Sequence, residues 1–334
     1  MQARDTLRRP LRALRISVTD RCNFRCRYCM PREEFGPEHA FLDREALLSF
    51  EEITRLLRVF TALGVAKVRL TGGEPLLRRE LPTLVRMLAA VPGLEDLALT
   101  TNGALLPDQA QALHDAGLRR ITMSLDTLKP ARFQTLSDTD LPHARVLEGL
   151  AAARRAGFGP IKLNCVLQRG VNDDEILELA AFARDGGHTL RFIEFMDVGT
   201  TNGWRLESVV PATEVHDLIH AHWPLEPLAT PDGAVAQSWR YRDGRGELGL
   251  IASVTNPFCR GCDRARLSAD GHLYTCLFAG QGLDLKGFLR TGHRDEDLAA
   301  LLASHWARRD DRYSELRRAD TPGLPKVEMS HIGG

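Results

Sequence analysis

The sequence predicts an α/β fold, a partial (βα)6 TIM-like barrel joined to a smaller C-terminal domain, and three observations carry that expectation. Between residue 12 and about 220, short β-like runs alternate with helical runs, the pattern of βα units around a parallel sheet. Inside those β-like runs polar and apolar residues alternate, which gives the sheet one polar face. After about residue 225 the alternation of elements stops, so the expected units are residues 1–225 and 226–334.

Taken in order, strands are expected near 13–18, 66–71, 95–100, 119–125, 160–167 and 189–196. The first helix opens at Ser49, whose pairing with Glu52 reads as a capping box; Ile53, Leu56, Leu57, Phe60 and Leu63 form its apolar side, and Gly64 is placed to end it. Pro107 begins a helix that Gly117 closes, Asn172 with Glu175 repeats the capping box, and Gly157 and Gly186 stand at comparable ends. Alternation sets Leu14, Ile16 and Val18 against Arg15 and Ser17, Val68 and Leu70 against Arg69 and Thr71, and Ile161 and Leu163 against Lys162 and Asn164. A doubly wound sheet covered on both faces reads instead as nearly continuous apolar runs, so the alternation favours a barrel with a polar lumen. Arginine and lysine in such a lumen require an anionic ligand to offset their desolvation. Beyond 225 the expectations are strands around 235–256 joined by a turn from Asp243 to Gly246, a hairpin at Asp270-Gly271 and a helix near 295–307. That unit is expected to carry its cysteines over the open barrel, and the tail from Pro322 to Gly334 reads as frayed.

Composition narrows the class. With 334 residues and 43% hydrophobic content the chain can fill a sizeable core, and no apolar run approaches the roughly 20 residues that span a bilayer. The arginine-rich start lacks the apolar stretch of a secretory signal, and thiols without a disulfide framework point to a reducing cytoplasm. Formal net charge is zero, so no global field draws in nucleic acid or an anionic membrane, and an anionic substrate must be held by locally placed cations.

Six of the seven cysteines form two triads, Cys22, Cys26 and Cys29 near the start and Cys259, Cys262 and Cys276 near the end. Each triad lacks a fourth ligand. Three thiolates on an iron–sulfur cluster leave one iron open to something other than the protein. Zinc is the rival at the second triad, where CxxC is a common half-site and His272 could complete the set. Cys165, the seventh, reads as a packed strand residue.

The run Cys22-Asn-Phe-Arg-Cys26-Arg-Tyr-Cys29 resembles the C-x3-C-x2-C motif of radical S-adenosylmethionine (SAM) enzymes, and Thr71-Gly-Gly-Glu-Pro75 resembles their second signature. The second triad narrows the resemblance. Cys259-Arg-Gly-Cys262 with Arg264, Arg266 and Cys276, the opening from Arg15 to Cys22, and the terminal Gly333-Gly334 are similar to the GTP 3′,8-cyclase (MoaA) family of molybdenum cofactor biosynthesis. The resemblance runs nearly end to end. It implies a radical SAM barrel with two 4Fe-4S clusters, the first cleaving SAM and the second binding the guanine of GTP. The implied reaction is removal of the 3′ hydrogen of GTP by a 5′-deoxyadenosyl radical and bonding of C3′ to C8, completed by reduction and protonation, which gives 3′,8-cyclo-7,8-dihydroguanosine 5′-triphosphate.

By the same resemblance Tyr28, Gly73, Ser124 and Met196 match SAM-binding positions, and Arg15, Arg69, Thr100 and Lys162 match GTP-binding positions. Only five lysines occur in the chain, which makes one inside a strand at Lys162 informative. Arg264 and Arg266, two apart on an extended segment, point to one side and are implied to clamp substrate or steady charge during catalysis. Gly333 and Gly334 are implied to reach into the cavity with a role after hydrogen abstraction. Implied partners are an electron donor such as flavodoxin or ferredoxin and a downstream cyclic pyranopterin monophosphate synthase, with the chain a monomer or homodimer. Two alternatives stay open: a peptide-modifying radical SAM enzyme with an auxiliary cluster, and a zinc-dependent binding module.

Overall fold

The computed structural model describes residues 2–231, 233–317 and 324–333. Strands β1 (Ala13–Ser17), β2 (Lys67–Thr71), β3 (Asp96–Thr101), β4 (Arg120–Ser124), β5 (Lys162–Leu167) and β6 (Thr189–Glu194) fall where the alternation placed them, and each pairs in parallel with the next. Between and after them run helices α1 (Phe50–Ala62), α2 (Leu81–Ala89), α3 (Leu106–Asp115), α4 (Pro130–Ser137), α5 (His143–Arg155), α6 (Ile176–Gly186) and α7 (Ala212–His222). The capping box of α1 is formed: the Ser49 hydroxyl accepts from Glu52 N–H (3.1 Å) while the Glu52 carboxylate accepts from Ser49 N–H (2.8 Å). Ile53, Leu56, Leu57 and Phe60 of α1 are buried in the core shared with Leu14, Ile16, Val68 and Leu70 of the sheet's apolar face.

Two end signals fail. Asn172 does not cap a helix; its side chain accepts from Gln168 N–H and donates to the carbonyls of Asp126 and Val166, tying the turn after β5 back to the sheet. Glu175 is buried and accepts from the Thr127 hydroxyl and Leu128 N–H, so its carboxylate serves a neighbouring loop. At the end of α6 the left-handed residue is Gly187 (φ 66°), with Gly186 still helical.

The C-terminal segment contributes β7 (Leu225–Pro227), β8 (Gln237–Tyr241), β9 (Glu247–Ile251), β10 (Arg264–Leu267), β11 (His272–Tyr274) and β12 (Leu283–Asp284), then α8 (Leu285–Arg290), α9 (Asp295–Ala307), α10 (Tyr313–Leu316) and α11 (Met329–Ile332). These strands do not form a layer laid over the barrel. They continue its sheet from both edges, in the order β12-β11-β10-β1-β2-β3-β4-β5-β6-β9-β8-β7, with β10 parallel to β1 and β9 parallel to β6. Residues of β1 to β6, β9 and β10 border one cavity, so the sheet curves around it as an open barrel. Of the tail expected to fray, Leu324 and Pro325 are exposed but residues 326–333 are buried or half-buried, with Ile332 fully buried; Pro322 and Gly334 lie outside the described residues. Among the described residues no helix is long and apolar enough to cross a membrane.

Candidate active site

Register decides where the charged side chains meet. Arg15 of β1 pairs with Arg69 of β2 on one side and Arg266 of β10 on the other, so three guanidinium groups stand in one row across adjacent strands. Arg69 Nη1 donates to the hydroxyls of Thr100 and Thr122 (both 3.0 Å), which aims it across the lumen. Arg191 of β6 joins the same wall opposite Gly249 of β9, where a Cβ would press on the Arg191 side chain at 2.9 Å. Burial, with mutual repulsion, pushes Arg69, Arg191 and Arg266 down to about 10 and holds Arg15 well below the usual range. Such a group of cations is built for an anion.

Both triads face the cavity from opposite ends. Cys22, Cys26 and Cys29 follow β1, beyond the carboxyl ends of the parallel strands. Cys262 precedes β10 and Cys276 follows its antiparallel neighbour β11, which places the second triad at the amino ends of the strands. All six cysteines line one cavity of about 330 Å³, within the roughly 300–1,000 Å³ of an ordinary small-molecule site.

The first triad is braced by the loop after β2. Glu74 N–H donates to Arg21 O (2.8 Å) and Gly73 N–H to Thr19 O (2.8 Å); a Cβ on Gly73 would collide with the Arg21 carbonyl, so only glycine permits this approach. The Glu74 carboxylate accepts from Leu76 N–H (3.0 Å), the Thr101 hydroxyl (2.7 Å) and Asn102 N–H (2.8 Å), and burial still pushes it up to about 7. Tyr28 donates its hydroxyl to Asp126 (2.7 Å), a carboxylate that burial raises to about 6 against that hydrogen bond.

The donor chemistry fits clusters at both triads. Burial pushes the Cys22 thiol up to about 12 and Cys26 well above its usual range, so these thiols stay protonated until a metal's charge offsets the burial. At the other end Arg264 and Arg309 outweigh the burial of Cys262 and bring its thiol below the usual range. Among the described residues no three His, Cys, Asp or Glu side chains are gathered as ligands of a single ion. His272, the candidate fourth zinc ligand, faces Asp270 (Nδ1–Oδ2 3.1 Å) and is not among the lining residues.

Of the residues singled out from sequence, Arg15, Tyr28, Arg69, Gly73, Thr100, Ser124, Met196, Arg264 and Arg266 line the cavity with the six cysteines. Lys162 is not on its wall; half-buried, it sits behind Arg69 and Arg191, and burial with their repulsion lowers it to about 8. Gly333 is brought in through its carbonyl, which accepts from Arg266 Nη1. Cys165 is packed, as expected. Sequence reasoning missed Arg191 and Asp126, although both were available: Arg191 stands at an alternate position of an expected strand, and Asp126 shares the polar face of Ser124.

A parallel barrel with a C-x3-C-x2-C loop after its first strand and a Gly-Gly-Glu-Pro loop after its second defines a radical SAM enzyme. The Radical SAM superfamily model matches residues 16–183, and the Molybdenum Cofactor Synthesis C model matches residues 188–315. The chain is 57% identical to the GTP 3′,8-cyclase of Acidothermus cellulolyticus, covering 99% of both chains, and 55% identical to that of Xanthomonas campestris pv. campestris, covering 99% of this chain and 97% of the relative. It is 45% identical to the GTP 3′,8-cyclase of Staphylococcus aureus over 100% of this chain and 99% of the relative. The chain belongs to the GTP 3′,8-cyclase family. Among solved structures, Streptococcus suis SuiB bound to S-adenosylmethionine superposes with a TM-score of 0.62 at 14% identity, covering 95% of this chain and 73% of that one, which supports the fold alone.

Proposed function

We propose that the cavity converts GTP to 3′,8-cyclo-7,8-dihydroguanosine 5′-triphosphate, and the observation that carries this reading is the row of uncompensated arginines between two open cysteine triads. Cys22, Cys26 and Cys29 would hold one 4Fe-4S cluster, and Cys259, Cys262 and Cys276 a second. The first cluster, when bound, would supply the electron that cleaves SAM to a 5′-deoxyadenosyl radical; that radical would take H3′ of GTP, C3′ would bond to C8, and the cyclised radical would take up one electron, from the external donor, and one proton to give the product.

The protein's part is placement. Tyr28, Gly73, Ser124 and Met196 are assigned to SAM. Asp126 next to Tyr28 supplies negative charge at that end, and Gly73 lets the backbone approach closely. Arg15, Arg69, Thr100, Arg264 and Arg266 are assigned to GTP, with Lys162 adding charge from behind the wall. A triphosphate carries about four negative charges, and charge-assisted hydrogen bonds of about 1.5–3 kcal/mol each offset the burial of those cations. Arg264 and Arg266 are assigned to steady charge on the cyclised substrate. Arg266 also holds the Gly333 carbonyl, and a Cβ on Gly333 would strike the Thr71 hydroxyl, so Gly333 is read as part of a tail inserted beside the substrate, and Gly334 is given the same role by the family resemblance alone. The division of labour is residues 1–225 for the radical end and 226–334 for the second cluster and the tail. An electron donor of the flavodoxin or ferredoxin type and a cyclic pyranopterin monophosphate synthase that takes the product complete the reading.

Reconstituted protein incubated anaerobically with dithionite, SAM and 3′-deuterated GTP tests it. Deuterium is expected in 5′-deoxyadenosine, with no transfer from the base; cleavage that is indifferent to GTP would move the substrate elsewhere, to a peptide among other candidates.

A further inference from the structure

Behind the second triad lies a buried ion network that the reaction above does not use. Asp5 is fully enclosed between Arg9 (Nε–Oδ2 2.5 Å) and Arg309 (Nη1–Oδ2 3.1 Å), and the side chains of both arginines are at most 2% exposed. The network is threaded through the cysteine loops. Arg309 donates to the Cys262 carbonyl (2.7 Å), to Thr275 O beside Cys276 (3.1 Å) and, through Nη2, to the Cys262 sulfur itself (3.1 Å). Arg9 donates to the Cys259 carbonyl (2.8 Å) and to Asp311 O (2.7 Å), while Trp306 packs under the Arg309 guanidinium at 4.5 Å and donates its indole N–H to Arg9 O. Thus two arginines from opposite ends of the chain reach Cys259, Cys262 and the residue before Cys276.

Among the described residues no cation donates to a sulfur of the first triad. The hydrogen bond donated to a sulfur there is a neutral amide, Phe24 N–H to Cys22 (3.4 Å), and Arg25 is committed to the carbonyls of Cys22, Phe24 and Phe35. Carboxylates, Glu74 and Asp126, share the cavity wall with that triad, whereas at the second triad Asp5 and Asp311 are each paired with Arg309 (3.1 and 3.2 Å).

We propose that Arg309, anchored through Asp5 to Arg9, is a positioning residue that makes the second cluster easier to reduce than the first. The inference rests on the reading of Cys259, Cys262 and Cys276 as cluster ligands. A cation donating to a ligand sulfur stabilises the more negative, reduced form, since hydrogen bonds to sulfur and local charge set cluster potentials. One electron is taken up and no bond changes; in the test, dithionite supplies it. The first triad, facing carboxylates, keeps the lower potential that cleavage of SAM demands.

The experiment is a redox titration followed by electron paramagnetic resonance on reconstituted full-length protein carrying Cys22→Ala, Cys26→Ala and Cys29→Ala, so that only the second cluster reports. Arg309→Gln in this background is expected to lower the reduced-to-oxidised ratio at fixed potential about tenfold, equal to about 59 mV for a one-electron couple. Arg309→Lys, which keeps the charge, should shift it in the same direction by less. In protein with Cys259, Cys262 and Cys276 replaced by alanine, Arg309→Gln should leave the first cluster's ratio unchanged. An unchanged ratio for Arg309→Gln with full iron content overturns the proposal, as does an equal shift at the first cluster; if Arg309→Gln loses its iron, the Arg309→Lys ratio decides by the same criterion. Failure of the underlying reading looks different: the parent protein lacking the first triad would bind no iron, or bind zinc in its place.

Discussion

Glu74 and Asp126, each just past the carboxyl end of its strand, give one end of the cavity buried carboxylates, whereas Arg15, Arg69, Arg191 and Arg266, within the strands, give the other end guanidinium groups. Both sets are buried before any ligand arrives, and burial shifts both toward their neutral forms: the carboxylates upward, the arginines downward. Under the proposed function, this difference is what would let one cavity sort two ligands. A sulfonium with an ammonium group is favoured at the acidic end and a triphosphate at the basic end, so each ligand is repelled from the other's place.

The largest effect that would sharpen this contrast comes from the acidic end. Cys26→Ala should remove about four irons per chain and abolish 5′-deoxyadenosine formation while leaving GTP binding measurable, as judged by iron assay and equilibrium dialysis. Next comes the basic end. Arg15→Ala should raise the KM for GTP about 10- to 100-fold, the range of one charge-assisted hydrogen bond, with the SAM dissociation constant unchanged. Equal losses for both ligands would show that the two ends are not separate, and the contrast would fall.

How much of this the sequence carried depends on the kind of signal. Strands β1 to β6 were legible because polar lumen residues alternate with apolar core residues, a period-2 pattern that only a two-sided sheet produces. The same pattern exposed Arg15 and Arg69 as lumen residues, and spacing exposed both cysteine triads. What sequence could not supply was pairing between distant segments. That β10 lies parallel to β1, bringing Arg266 beside Arg15, is a long-range register with no local mark. For the same reason the segment after 225 read as a separate cover, although its strands extend the barrel's own sheet at both edges. Asn172 and Glu175 misled because an Asn-x-x-Glu spacing fits a capping box, yet both side chains found partners in loops that only the folded sheet brings near. Arg9, Asp5 and Arg309 lay in no motif at all.

A smaller effect tests the acidic end through pH. The Asp126 carboxyl is raised by burial to about 6, with Tyr28 pulling it down, so across that value the wall gains a negative charge. A cationic ligand prefers the ionised form, hence SAM affinity should rise as pH rises through about 6, and Asp126→Asn should weaken binding about 3- to 10-fold at pH 7.5 and flatten the profile. Stability runs the other way. Because the folded value is above the unfolded one, the folded state holds the extra proton, and the ligand-free protein should lose stability as pH climbs from about 4 to about 6. Glu74, raised to about 7, contributes in the same direction, so comparison of wild type with Asp126→Asn isolates the share of Asp126.

The smallest effect belongs to Lys162, which separates charge from contact at the basic end. Burial and the repulsion of Arg191, Arg120 and Arg69 lower its ammonium to about 8, below the unfolded value, so the unfolded chain binds more protons between about 8 and 10.5. Ligand-free protein should therefore gain stability as pH rises through that window, and Lys162→Met should reduce the slope, a change of roughly 1–2 °C in Tm. GTP should reverse the sign of the Lys162 contribution, because a triphosphate favours the charged amine. If GTP stabilises wild type and Lys162→Met equally at pH 7, the lysine lies outside the triphosphate's field, and the basic end reduces to the arginines on the wall itself.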